Sequence, residues 1–140
     1  MAKIIESLID YMLAAREVKL PSEVIQKGKS HLLDSLAGIV SGSTLKPGKL
    51  GLQHARQQAG SPDCTVLGSN CKTTPVLAAF VNGMSAHADE TDDSNSQLHP
   101  GCAIVPAALA IAEAENRGGD ALLRAVILGY DIGFRFHQAF

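Results

Sequence analysis

The stretch CAIVPAALAIAEAEN, Cys102 to Asn116, leaves this chain few ways to fold. Its first three turns are apolar nearly all round, which suits a helix enclosed by other elements rather than one lying on a surface. Pro106 falls near the start, where backbone N–H groups lack intrahelical partners, and Arg117-Gly118-Gly119 ends the segment. A buried central helix needs neighbours that pack closely on it. The composition supplies them: 46% of residues are apolar but only 4% aromatic, with no Trp. Alanine, leucine, isoleucine and valine must therefore fill the core, and such small side chains suit tightly packed helices. The expectation is an all-α, bundle-like fold, with residues 1–140 as one domain.

The remaining segments fit that frame. Ile4, Ile5, Leu8, Ile9, Met12 and Leu13 recur at helical spacing, predicting an amphipathic helix from Lys3 to about Arg16. Leu20-Pro21-Ser22 opens a second helix striped by Ile25, Gly28, Leu32, Leu36 and Ile39 and stopped at Gly42. Asp34, among leucines, reads as a buried carboxylate bonded to a neighbouring group. Lys46-Pro47-Gly48 reads as a turn before a polar helix, with His54 on its surface. Cys64 to Leu67 and Asn70 to Thr73 read as the strands of one small hairpin around Gly68-Ser69-Asn70. Thr74-Pro75 starts another helix. Its residues Val76, Ala79, Phe80, Gly83, Met84 and His87 share a face directed at the core. Asp120 caps the last helix, where Gly129 and Gly133 admit a close neighbour, and Phe134, Phe136 and Phe140 leave an apolar end that wants a cover.

Several functions are excluded. A net charge of −2 gives no basic footprint for nucleic acid, and the scarce aromatics offer no stacking platform. The longest apolar run, Cys102 to Ala112, is too short for a bilayer, and Glu6 and Asp10 interrupt any signal-peptide core. Three cysteines without secretory context read as free thiols in a reducing cytoplasm, with a Cys64–Cys71 bridge across the hairpin as the minor alternative.

Chemistry concentrates between Asn82 and Gly101, NGMSAHADETDDSNSQLHPG, where four acids lie between His87 and His99. His99 precedes the buried helix, whose free N–H groups and positive dipole end attract anions. A protonated His99 and the Ser94 hydroxyl complete a cradle for a carboxylate. Glu90 and Asp92 can serve as acid or base, or orient His87 and His99. From spacing alone, however, the acids read as a solvated loop capping two helices, with Asp92 or Asp93 bonding exposed backbone N–H groups. His87 reads equally as an active-site group and as a core residue tying down the loop. No metal is expected. A calcium loop counted from Asp89 has Ser94 and Pro100 where glycine and glutamate belong. A zinc set of His87, Glu90, His99 and Cys102 matches no standard spacing. The G-x-S-x-G elbow and glycine-rich phosphate loops are absent.

This segment resembles the MmgE/PrpD family pattern N-G-x-x-x-H-x-L-D-F-D-D-T followed by H-P-G. LLDSLAG at Leu32 to Gly38, TPVLAAFVNGMSAH, and LLRAVILGYDIGFRF with its A-V-x-x-G-Y are similar to the family's flanking helices. Glu90 stands for the family's first aspartate, Asp89 for leucine or methionine, Thr91 for phenylalanine and Ser94 for threonine. The resemblance implies lyase chemistry, with dehydration of a small di- or tricarboxylate such as a 2-methylcitrate-like acid put first and decarboxylation or epimerisation open, without metal or organic cofactor. It places Glu90, Ser94 and His99 against substrate, and implies a homodimer. It also implies that later family residues complete the site, so that 1–140 is a truncated helical domain. The alternative function is a non-catalytic fragment whose site and C-terminal helix need a partner chain.

Overall fold

The computed structural model of the chain describes residues 2–58, 60–95 and 98–139. Along them run α1 (Ala2–Ala15), α2 (Ser22–Gly42), α3 (Lys46–Gln57), β1 (Cys64–Thr65), β2 (Lys72–Thr73), α4 (Pro75–Ala86), α5 (Gly101–Ala114) and α6 (Gly119–Ala139). The protein is mostly α-helical with one small antiparallel hairpin.

Helices α4 and α5 form the central pair. Helices α2 and α3 pack on α4, and α6 and α2 pack on α5. Val105, Val126 and Tyr130 make one core cluster, with Leu32 and Ile104 against it; Ala55, Val66 and Val81 make another under the hairpin. Small residues set the spacing. A Cβ on Gly129 would lie 2.6 Å from Ile104 Cγ2, whereas one on Gly133 would make ordinary contact at 3.7 Å. The close approach of α5 to α6 therefore rests on Gly129.

Local signals account for the starts of α3 and α4. Thr74 Oγ1 accepts from the Leu77 N–H at 3.5 Å, with Pro75 in the first helical turn. Lys46-Pro47-Gly48 is not a separate turn: it is the first turn of α3, because Pro47 occupies a position where no N–H is needed. Helix α6 begins at Gly119, so Asp120 lies in its first turn rather than capping it.

The hairpin pairs Cys64 with Thr73 and Thr65 with Lys72, and Gly68 turns at φ 74°. Buried Asn82 clamps it to α4 by accepting from the Leu67 N–H (2.9 Å) and donating to the Thr65 carbonyl (3.0 Å). Glu113 of α5 accepts from the Thr65 N–H and hydroxyl. Cys71 lies opposite Val66 rather than Cys64, and all three cysteines are free.

Two expectations about facing are corrected. Asp34 is exposed, because the buried stripe of α2 runs through Gly28, Ser35, Ile39 and Gly42. The face of α4 carrying Val76, Phe80 and His87 points outward; Ala78, Val81, Asn82, Ser85 and Ala86 are the buried ones. The apolar stripe of α1 also stays open, with Ile4 74% exposed. Phe134 packs near Tyr130 and Phe136 is exposed, while Phe140 lies outside the described residues. No helix of the described residues is long and apolar enough to cross a membrane.

Candidate functional site

Helix α4 ends with His87 at its C-cap, the backbone N–H of His87 still bonded to the Gly83 carbonyl. The chain then doubles back. Glu90 adopts a left-handed backbone, φ 54°, and Asp89 Oδ1 accepts from the Thr91 hydroxyl at 2.8 Å. Past this turn, Asp92 is buried, its side chain only 1% exposed. Its Oδ1 lies 2.9 Å from His87 Nδ1 and 3.5 Å from His99 Nδ1, and the two rings meet edge to face with centroids 5.0 Å apart. The imidazoles themselves are 42% and 33% exposed. One buried carboxylate thus carries two imidazoles that open toward solvent. Asp92 Oδ2 and His99 Nδ1 are buried and have no hydrogen-bond partner among the described residues. The 3.5 Å approach to Asp92 is within reach of an ion pair but too loose for a hydrogen bond.

Asp93 serves a second set of partners. Its Oδ1 accepts from the Gly101 N–H at 3.1 Å and its Oδ2 from the Tyr130 hydroxyl at 2.8 Å, and His31 Nδ1 stands 2.9 Å away. One residue thereby ties the loop to α2, α5 and α6, and takes the capping role that spacing left between Asp92 and Asp93. Burial, and then the bond to Asp93, raise Tyr130 well above an ordinary phenol, so it remains a donor. The junction admits no side chain at position 101: a Cβ there would lie 2.6 Å from Ser35 Oγ and 2.8 Å from the Tyr130 oxygen.

A groove of about 540 Å³ runs beside the cluster, walled by Pro47, Phe80, Gly83 and Met84, with His87 and Cys102 also lining it. The Cys102 thiol donates to the His99 carbonyl at 3.2 Å. Burial, with the Asp92 charge second, pushes this thiol up to about 11, so it is neutral at physiological pH.

Of the sequence-predicted residues, His87, Asp92 and His99 come together in one cluster. Glu90 and Ser94 are exposed on the same loop and make no hydrogen bond or ion pair among the described residues. Sequence reasoning missed His31, Ser35 and Tyr130. His31 and Ser35 are one turn apart on α2, a faint signal; nothing in their spacing links them to Asp93.

Fold and site define a helical protein that presents paired imidazoles, set by a buried carboxylate, at the mouth of its central helix. The family model described as MmgE/PrpD N-terminal domain matches residues 6–140, and the chain belongs to the MmgE/PrpD family. It is 28% identical to the cis-aconitate decarboxylase-like protein oryM of Aspergillus oryzae, over 94% of this chain and 29% of that protein. It is 30% identical to the cis-aconitate decarboxylase of Homo sapiens, over 81% of this chain and 24% of that protein. To the cis-aconitate decarboxylase of Aspergillus terreus it is 28% identical, over 86% and 26%. The chain thus spans 24–29% of the length of these relatives.

Proposed function

We propose that this chain supplies the acid–base part of a lyase site for a small di- or tricarboxylate. The observation that carries the reading is the buried Asp92 holding His87 and His99 at the mouth of α5. Both lyase reactions open to the family need a proton donor and a proton acceptor at fixed separation. In loss of water, a base removes the proton alpha to a carboxylate and an acid protonates the departing hydroxyl. In loss of CO2, the bond to the departing carboxylate breaks, its electron pair stays on the unsaturated carbon skeleton, and an acid delivers a proton to carbon. Imidazoles oriented by one carboxylate suit either course. His99 and His87 bind substrate carboxylates, His99 and Asp92 move the proton, and Glu90 and Ser94 reach the substrate from the loop as a base and a hydroxyl donor.

The family resemblance alone leans to dehydration of a 2-methylcitrate-like acid. The names of the relatives move the first choice to decarboxylation of a cis-aconitate-like acid. Incubating the full chain with each acid, with products followed by proton NMR, separates them. Calorimetry with citrate tests the site directly: heat that is lost in His99→Ala is expected, and no heat with any polyacid sinks the reading.

A second reading keeps binding without turnover, with the site completed by residues outside these 140. The outward-facing side chains of His87 and His99 favour it. Binding heat without product, and turnover restored by a longer chain, is its signature. A homodimer in a reducing cytoplasm fits both readings, supported by the three free thiols and the open apolar faces.

A further inference from the structure

We propose that His31 of α2 and Tyr130 of α6 are positioning residues for the acid–base cluster, acting through Asp93 to hold Asp92 and His99 in register. Asp93 joins the two groups. Its Oδ2 accepts from the Tyr130 hydroxyl at 2.8 Å and faces His31 Nδ1 at 2.9 Å, while its Oδ1 accepts from the Gly101 N–H at 3.1 Å. The last bond closes the loop on itself, because Asp93 follows Asp92 directly and Gly101 follows His99 by two residues. Between His99 and Gly101 stands Pro100, whose ring fixes φ, here at −74°, and leaves that link little freedom to absorb a shift. A displaced Asp93 therefore moves Asp92 and His99 together.

His99 depends on such support. Its Nδ1 has no hydrogen-bond partner among the described residues and lies a loose 3.5 Å from Asp92 Oδ1. No bond of that nitrogen aims the ring, so the backbone must, tied by Asp93 at Gly101 and by the Cys102 thiol at the His99 carbonyl. His87 differs, since α4 itself carries it at the C-cap. His31 and Tyr130 steady one another: their ring centroids are 4.8 Å apart, and Tyr130 packs near Phe134. Both line a groove between α2 and α6, separate from the one that His87 lines, so neither belongs to the cluster. The chemical consequence of this support rests on the lyase reading above, whereas the coupling to His99 rests on geometry.

The test follows the imidazole resonances of the full chain by NMR, assigned from single histidine replacements, and citrate affinity by calorimetry. Tyr130→Phe keeps the ring and deletes the hydroxyl, His31→Leu removes the nitrogen, and His31→Asn returns an amide N–H near the place of Nδ1. Tyr130→Phe and His31→Leu should each shift the His99 resonances and weaken citrate binding about tenfold. His31→Asn should restore both, with the His54 and His137 resonances unmoved throughout. A purely structural contact would lower the melting temperature and leave the His99 resonances and citrate affinity where they were. Thermal unfolding checks that each variant is folded; if Tyr130→Phe is not, the half-buried His31→Leu decides. Should the unaltered chain bind no citrate, the lyase reading fails and the resonances alone judge the coupling. Unmoved His99 resonances in folded His31→Leu overturn the proposal in either case, as does citrate binding that is indifferent to His31→Leu.

Discussion

Asp92 illustrates how far a residue's role depends on its surroundings. As letters, Asp89, Glu90, Asp92 and Asp93 are four acids in a polar loop; in space Asp92 and Asp93 serve different partners and Asp89 and Glu90 stay in solvent. Replacing Asp92 with Asn keeps the shape and removes the charge that aligns both imidazoles. Polyacid binding should weaken by about 2 kcal/mol or more, roughly thirtyfold, in calorimetry; unchanged binding would show that the histidines orient themselves. Cys102 gives a second check. With its thiol held up to about 11, alkylation by iodoacetamide at pH 8 should be much slower than for a free thiol and should accelerate only as pH approaches 11. Fast labelling at pH 8 would mean the Asp92 pocket is open. The residues of the loop marked His87, Asp92 and His99 as candidates, and the resemblance added weight to His99 alone of the three, yet no rule of spacing says that one carboxylate bridges both rings.

At the scale of elements, the junction of loop and α5 carries the most structural information. Gly101→Ala would press a methyl group against Ser35, Tyr130 and the Asp93 carboxylate. Overpacking of this kind costs about 1–3 kcal/mol, to be read as a lower denaturation midpoint at unchanged m. The hairpin has its own pH signature. Burial works to raise the Glu113 carboxyl, but the Thr65 hydroxyl and N–H and Lys72 outweigh it and leave it lowered. A lowered folded value means that Glu113 adds stability above its unfolded pKa of about 4.3 and loses it as pH falls through the folded value. Melting temperatures across pH 5 to 2 should therefore fall less steeply in Glu113→Gln. Helix identities were legible at this scale, since Thr74-Pro75, Gly42 and the Arg117-Gly118-Gly119 break are local signals. The clamps by Asn82 and Glu113 were not, because they join residues 15 to 48 positions apart.

For the molecule as a whole, the outward face of α4 and α5 invites a partner. Val76 is 79% exposed, Phe80 55% and Ile111 58%, an apolar surface that a stable soluble chain seldom leaves open. Light scattering should find self-association at micromolar concentration, reversed by Phe80→Ser; a monomer at all concentrations would contradict this. That outward face also shows why the facing of α4 was misread. Periodicity identifies an apolar stripe but cannot say what covers it, and here Ala78, Val81 and Ala86 take the core side instead. By itself the sequence determined the helices, the hairpin and the family, because propensity, capping and hydrophobic period act over a few residues. Only the tertiary structure decided which acid meets which histidine, since those contacts depend on how helices far apart in the chain converge on Gly101.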